Sequence, residues 1–293
     1  SRYSKGKKNV KQYSKNNASK KSGSGKNSYN AYYKKNDDGF QPKSNGKSNY
    51  GKKKYPSKSK GYPKKNAQKP SIKIAFLGGL NEIGKNITLV ECENDIIIID
   101  CGMAFPDGDM LGVDLVIPDF TYIEQNADRV KGIILTHGHE DHIGGLPFLL
   151  SKVNVPIYGT PLTLGLVGNK LKEHSLYNQS QLNVINAGQS IKLGCMKIDF
   201  IHVNHSIPDA VAFAIHTPGG TIVHTGDFKI DCTPITGDMI DLSSFARVGD
   251  EGVLALLSES TNAERPGYTP TERTVSDSLD NLFKSCLLYT SPS

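Results

Sequence analysis

One stretch limits the fold more than any other. Gly132–Thr136 (GIILT) is a continuous apolar run that leads directly into His137-Gly138-His139-Glu140-Asp141-His142. Five ionisable side chains occupy those six positions. A run that is apolar at every position, rather than at alternate ones, belongs to a strand covered on both faces. Ile96–Ile99, inside Asp95–Asp100 (DIIIID), reads the same way. Strands of this kind need a layered fold, and the polar cluster then lies where a buried strand ends. A turn alone does not require three imidazoles.

Further strands are predicted over Ile72–Leu77, Ile87–Glu91, Pro156–Gly159, Leu182–Ile185, Met196–Val203, Val211–Thr217, Thr221–His224 and Val253–Leu257. Pro218-Gly219-Gly220 is the hairpin turn between two of them. Helices are predicted over Gly144–Lys152, Thr160–His174 and Thr271–Lys284. In the second, Leu162, Leu166 and Leu171 have helical spacing and Pro161 suits the first helical position. Many strands with helices between them indicate two packed sheets covered by helices, an α/β architecture.

Charge separates this region from what precedes it. Residues 1–69 hold 21 basic side chains against two acids, Asp37 and Asp38, a net of +19. The other 224 residues hold 14 basic against 27 acidic side chains, a net of −13, so the overall +6 describes neither part. Among Leu, Ile, Val, Met and Phe, the first part has only Val10 and Phe40. It buries too little apolar surface to offset the entropy of ordering, so a disordered basic arm is predicted over 1–69. Neither a secretory signal nor an Arg-rich transit peptide fits it. No apolar run, Ile96–Ile99 included, is long enough to span a membrane. The five cysteines, Cys92, Cys101, Cys195, Cys232 and Cys286, are odd in number and form no CxxC pair, which fits a reducing cytoplasm.

Imidazole and carboxylate together suit divalent transition metals, zinc above all. His137 and His139 are two apart and can face one way from an extended segment. Asp141 and His142 open the next helix and reach a second point, so the four imply two metal ions. More ligands must come from loops at the same sheet edge. Met196–Val203 ends at Asn204-His205, and Thr221–His224 ends at Thr225-Gly226-Asp227. His205, past its strand end, is preferred as the third imidazole over His202 inside the strand. Asp227 can bridge two ions, having two oxygens. His174, His216 and His224 are read as structural.

HGHEDHIGG (His137–Gly145), an isolated downstream His and a later Gly226-Asp227 resemble the metal motifs of the metallo-β-lactamase superfamily. Gly78–Glu91, Met110–Tyr122, Lys131–Leu150, Tyr158–Leu166, Lys170–His174, Asn204–Asp209 (NHSIPD), His224–Asp231 and Ser258–Pro270 (SESTNAERPGYTP) resemble, more narrowly, the ribonuclease J family of its β-CASP group. The resemblance covers about residues 70–284. That family usually has Asp where Glu259 stands. The resemblance implies an αββα sandwich. It implies a cytoplasmic 5′-to-3′ exoribonuclease that also cuts internally and acts in mRNA decay and rRNA maturation. It implies two Zn2+ per active site, with Mn2+ or Mg2+ as substitutes. His137, His139 and His205 would hold one ion, Asp141 and His142 the other, and Asp227 would bridge them. Asp141 and Asp227 are then catalytic through a metal-bound hydroxide that attacks the phosphodiester in line. Ser260, Thr261 and Asn262 follow a strand and are read either as substrate contacts or as a plain turn.

The family pattern also includes a further metal-binding His far downstream and an RNA-clamping insertion beginning near Ser258–Pro270. The chain is therefore read as an N-terminal fragment with an incomplete sandwich, a homo-oligomer when full length, with 285–293 as a non-native tail. RNA is the partner expected, with no membrane. Lys side chains of the arm would neutralise phosphates and its interleaved tyrosines would stack on bases. Two readings compete: another hydrolase of the same fold acting on a thioester or lactam, and an inert RNA-binding fragment.

Overall fold

A computed structural model describes residues 69–235 and 237–285. The expectations for the basic arm and for the last eight residues lie outside the described residues. β1 (Ile72–Gly78), β2 (Ile87–Cys92) and β3 (Asp95–Ile99) pair antiparallel. β4 (Val130–Ile134), β5 (Ile157–Gly159) and β6 (Leu182–Val184) extend this sheet in parallel, giving six strands in sequence order. Helices cross over between the parallel strands: α1 (Thr121–Gln125), then α2 (Glu140–Ile143) and α3 (Leu146–Leu150), then α4 (Pro161–Glu173). The second sheet is an antiparallel meander of β7 (Ser190–Leu193), β8 (Met196–His202), β9 (Val211–Thr217) and β10 (Gly220–His224). α5 (Leu242–Glu251) then returns the chain to β11 (Ala255–Leu257), parallel to β10. α6 (Glu272–Ser285) follows. Among the described residues no helix is long and apolar enough to cross a membrane.

The continuous apolar strands sit as their sequence requires. Ile97 and Ile99 of β3 face the second sheet, where they meet Met196, Ile198, Phe213 and Ile215. Ile96 and Ile98 face the other way, onto a core closed by Leu146, Leu149, Leu164 and Leu171 of the helices. The far face of the second sheet is covered by α5 through Phe245 and Val248 against Ile201, Ala212 and Val223. The order of layers is therefore helix, sheet, sheet, helix, the expected metallo-β-lactamase sandwich.

The helix expected over Gly144–Lys152 is instead two short ones, and the first begins at Glu140. A loop from elsewhere in the chain takes the carbonyls of α2. Backbone N–H groups of Met103, Asn86 and Cys101 donate to the carbonyls of Glu140, Asp141 and His142 at 3.2, 3.0 and 2.8 Å. The Gly145 N–H in turn donates to the Cys101 carbonyl at 2.8 Å instead of to Asp141, so the helical ladder stops there. The approach needs a glycine: a Cβ at Gly102 would lie 1.6 Å from the Asp141 carbonyl oxygen. Three elements were not anticipated. α1 and β7 are short, and α5 is capped by Asp241, whose carboxylate accepts the Ser244 N–H at 3.0 Å.

Four strand ends converge on one edge. Asp100 follows β3 and His137 follows β4 in the first sheet, while His205 follows β8 and Asp227 follows β10 in the second. β3 and β4 run parallel to each other, as do β8 and β10 on either side of β9, so the polar residues after them gather between the sheets.

Candidate metal centre

Two overlapping sets of side chains bring one ligand atom each to within 4.8 Å of the others: His137, His139 and His205, and His137, His142 and Asp227. In the first set, His137 Nε2 and His205 Nε2 lie 3.0 and 3.2 Å from His139 Nδ1. In the second, His142 Nε2 stands 3.4 Å from Asp227 Oδ2, which is also 3.6 Å from His205 Nε2. Asp227 therefore lies between the two sets. Gly226, at φ +57°, turns the chain so that Asp227 can point inward, and a Cβ there would press on Thr136 at 3.0 Å.

A buried carboxylate missed by sequence reasoning organises the imidazoles. Asp100 Oδ1 accepts the Thr136 N–H at 2.8 Å, and its Oδ2 accepts the Thr136 hydroxyl at 2.7 Å and His142 Nδ1–H at 2.8 Å. The Thr136 hydroxyl has spent its proton on Asp100, so toward His137 Nδ1, 3.0 Å away, it can only accept. His137 then carries its proton on Nδ1 and a lone pair on Nε2. One carboxylate thus sets the tautomer of His137 through Thr136 and holds His142 directly. The signal was present in the sequence, since Asp100 ends DIIIID as His137 follows GIILT.

The electrostatics of the two sets differ. Burial, followed by the nearby His142, drives His137 down to about 2. Burial also lowers His205. For His142 burial works against the charge, but Asp100 and Asp227 outweigh it and raise the pKa to about 10. Burial likewise opposes ionisation of Asp227, yet the hydrogen bond and charge of His142 hold its carboxyl well below the usual range. His137 and His205, kept neutral by burial and facing His139 Nδ1 at 3.0 and 3.2 Å, belong to a donor set that a divalent cation completes. The residues present fit such an ion.

A family model described as the metallo-beta-lactamase superfamily matches residues 80–263. The chain belongs to that superfamily. It is similar to Ribonuclease J 1 of Streptococcus pyogenes serotype M3, 50% identical over 208 residues, covering 71% of this chain and 37% of that protein. Ribonuclease J of Helicobacter pylori is 48% identical over 217 residues, covering 74% of this chain and 32% of that one. The chain spans about a third of the length of these curated relatives. A solved structure of a protein of unknown function from Enterococcus faecalis V583 shares the fold, with a TM-score of 0.56 at 17% identity, covering 74% of this chain and 58% of that one.

Within this metallo-beta-lactamase domain, five of the six metal ligands expected from sequence come together, and Asp141 stands beside them. Its Oδ2 is 3.6 Å from His142 Nε2 and accepts from Asn86 Nδ2 at 3.3 Å. His202 turns away and donates to the Asp238 carbonyl at 3.0 Å. His216 pairs with Asp199 at 3.0 Å, His174 meets Phe148 edge to face, and His224 Nδ1 accepts the Gly226 N–H at 3.1 Å. A cleft of about 300 Å³ opens beside the second set, lined by Asn86, Asp100, His142, Asp227, Glu259 and apolar residues including Phe76. Ser260 and Asn262 lie in the exposed turn beyond and do not line it. Glu259 ties that turn to the site: its carboxylate accepts the N–H groups of Phe228, next to Asp227, at 3.3 Å and of Thr261 at 2.8 Å.

Proposed function

We propose that the protein is a metal-dependent ribonuclease that hydrolyses phosphodiester bonds in RNA. The observation that carries this reading is the pair of donor sets sharing His137 at the sheet edge, in a chain 50% identical over 208 residues to a ribonuclease J. His137, His139 and His205 would hold one ion and His142, Asp141 and Asp227 the other, with His137 and Asp227 within reach of both, and zinc is the ion that this donor chemistry would favour. Bound there, divalent ions acidify water and neutralise charge on phosphoryl oxygens. The chain's own residues set the geometry. Asp100 holds His142 by its Nδ1–H and through Thr136 keeps the His137 Nε2 lone pair directed inward, Asn86 steadies Asp141, and Glu259 fixes the loop that carries Asp227.

The ribonuclease J likeness supports the finer reading as well: 5′-to-3′ exonucleolytic action with internal cutting, in mRNA decay and rRNA maturation, by a cytoplasmic homo-oligomer. Opposite charges support a division of labour. The −13 of residues 70–293 repels phosphate, so the +19 of residues 1–69, rich in Lys and Tyr, draws RNA in.

The test is turnover by the zinc-loaded chain, offered 5′-labelled single-stranded RNA, a thioester and a lactam in parallel. RNA cleavage that stops on chelation is expected. Turnover of the thioester or lactam with RNA left intact would overturn the reading. For the arm, RNA affinity at low salt is compared with and without residues 1–69. The intact chain should bind far more tightly, with an advantage that fades steeply as salt rises. Equal binding would remove the arm from the account.

A further inference from the structure

The SIPD segment, Ser206–Asp209, is specific in sequence but holds no metal ligand. We infer that Asp209 is a positioning residue that fixes His205 by docking its loop onto the start of α4. The inference rests on the metal assignment above. His205 sits in a six-residue loop, Asn204–Asp209, between β8 and β9. The Val203 N–H closes the base of that loop on the Ala210 carbonyl at 3.2 Å.

Both ends of the loop are tied. At one end the buried Asn204 accepts the Ile240 N–H on its Oδ1 at 2.8 Å and donates from Nδ2 to the Asp238 carbonyl at 2.9 Å. At the other end Asp209 adopts φ +64°, a left-handed conformation that Asp tolerates better than most residues. Its Oδ2 accepts the Leu162 N–H at 3.1 Å, and its carbonyl accepts the Thr160 hydroxyl at 2.9 Å. Pro161 has no N–H, so Leu162 presents the first free donor of α4, and the carboxylate also meets the positive end of a thirteen-residue helix.

The docked loop reaches the imidazoles. A Cβ at Gly138, between His137 and His139, would touch Leu166 of α4 at 2.6 Å and Ile207 of the loop at 3.5 Å. Gly138, α4 and the SIPD loop thus form one packed unit, and His205 reaches His139 from it at 3.2 Å. Without the Asp209 carboxylate, this end of the loop would keep only the Thr160 hydroxyl on the Asp209 carbonyl as its tie to α4.

Asp209→Gly removes the carboxylate while keeping the left-handed backbone free of strain, and Asp209→Asn keeps an accepting oxygen. Zinc affinity of the full chain is measured by competition with a chromophoric chelator, and site geometry by the visible spectrum of the Co2+-loaded protein. Asp209→Gly should weaken one of the two sites by about tenfold, as loss of an outer partner does, and alter the Co2+ spectrum. Asp209→Asn should restore both. In a His205→Ala background, Asp209→Gly should have no further effect. Unchanged zinc binding and spectrum in Asp209→Gly, or a loss that persists without His205, would overturn the inference. If His205→Ala itself bound zinc like the parent, the metal assignment would fall first.

Discussion

The two donor sets at the sheet edge share His137 but differ in what stands behind them. His137 and His205 are kept neutral by burial. His142 has the Asp100 carboxylate against its Nδ1 and Asp227 against its Nε2, and together they favour the imidazolium. The first set thus presents ready lone pairs, while the second holds a proton in the place a metal would take. His137 and His142, five positions apart and alike in burial, are made into different ligands by the position of two carboxylates. Composition cannot convey that difference, because it arises only when Asp100 from β3 meets the end of β4.

The strongest way to break the comparison is to remove what the sets have in common. His137→Ala should bring the metal content of the purified protein close to zero, read by elemental analysis, whereas His205→Ala should leave the second set able to bind. The loss should extend to stability. An ion present at a hundred times its dissociation constant contributes about 2.7 kcal/mol. For a domain of this size that corresponds to roughly 5–10 °C in Tm, so added zinc should raise the Tm of the parent by that amount and leave His137→Ala unmoved. Two independent metal sites, each keeping its ion without His137, would contradict the shared geometry.

Asp100→Asn separates the sets. Asn can still accept from the Thr136 N–H, but it withdraws the charge that faces His142. Outer partners of metal ligands contribute about 10–100-fold to affinity. The second set should lose within that range and the first set less, since Asp100 reaches His137 only through Thr136. Equal losses at both would mean that Asp100 acts on folding at large.

Much of this arrangement was legible in the sequence because it is local. His137 to His142 are contiguous, and His205 and Asp227 each follow an apolar run. The same rule would have found Asp100, had the carboxylate ending DIIIID been treated like the imidazole following GIILT. Asn86 and Thr136 carry no such signal; their roles come from distant segments meeting. The fold was legible where strands were long and apolar throughout, as in β3. It was less so where tertiary contacts overrode local pattern. Gly144-Gly145 looked like the start of one helix, but the Gly145 N–H is drawn to the Cys101 carbonyl, and the helical turns on either side of it are separate. Four-residue β7, between Gly188 and Gly194, has too few apolar positions to announce itself.

The finest test of the comparison is the pH dependence of metal uptake, because His142 has a proton to release and His137 does not. His142 titrates at about 10, above the ordinary histidine value of 6.5. Its ion pairs therefore stabilise the metal-free protein fully below pH 6.5, and that stabilisation is lost as pH rises through about 10. A metal ion needs the neutral imidazole, so below that pH each ion entering the second set displaces one proton. Its apparent affinity should climb by about tenfold per pH unit between pH 7 and 9. In the first set His137 is already deprotonated, with its pKa at about 2, so the affinity there should stay nearly flat over the same interval. Zinc titrations against a competing chelator at pH 7, 8 and 9 resolve the two slopes. Asp100→Asn should make the steeper one shallower, since the larger of the two charges that raise His142 is gone. If both slopes were flat in the parent, Asp100 and Asp227 would not hold the proton on His142, and the contrast between the sets would reduce to burial alone.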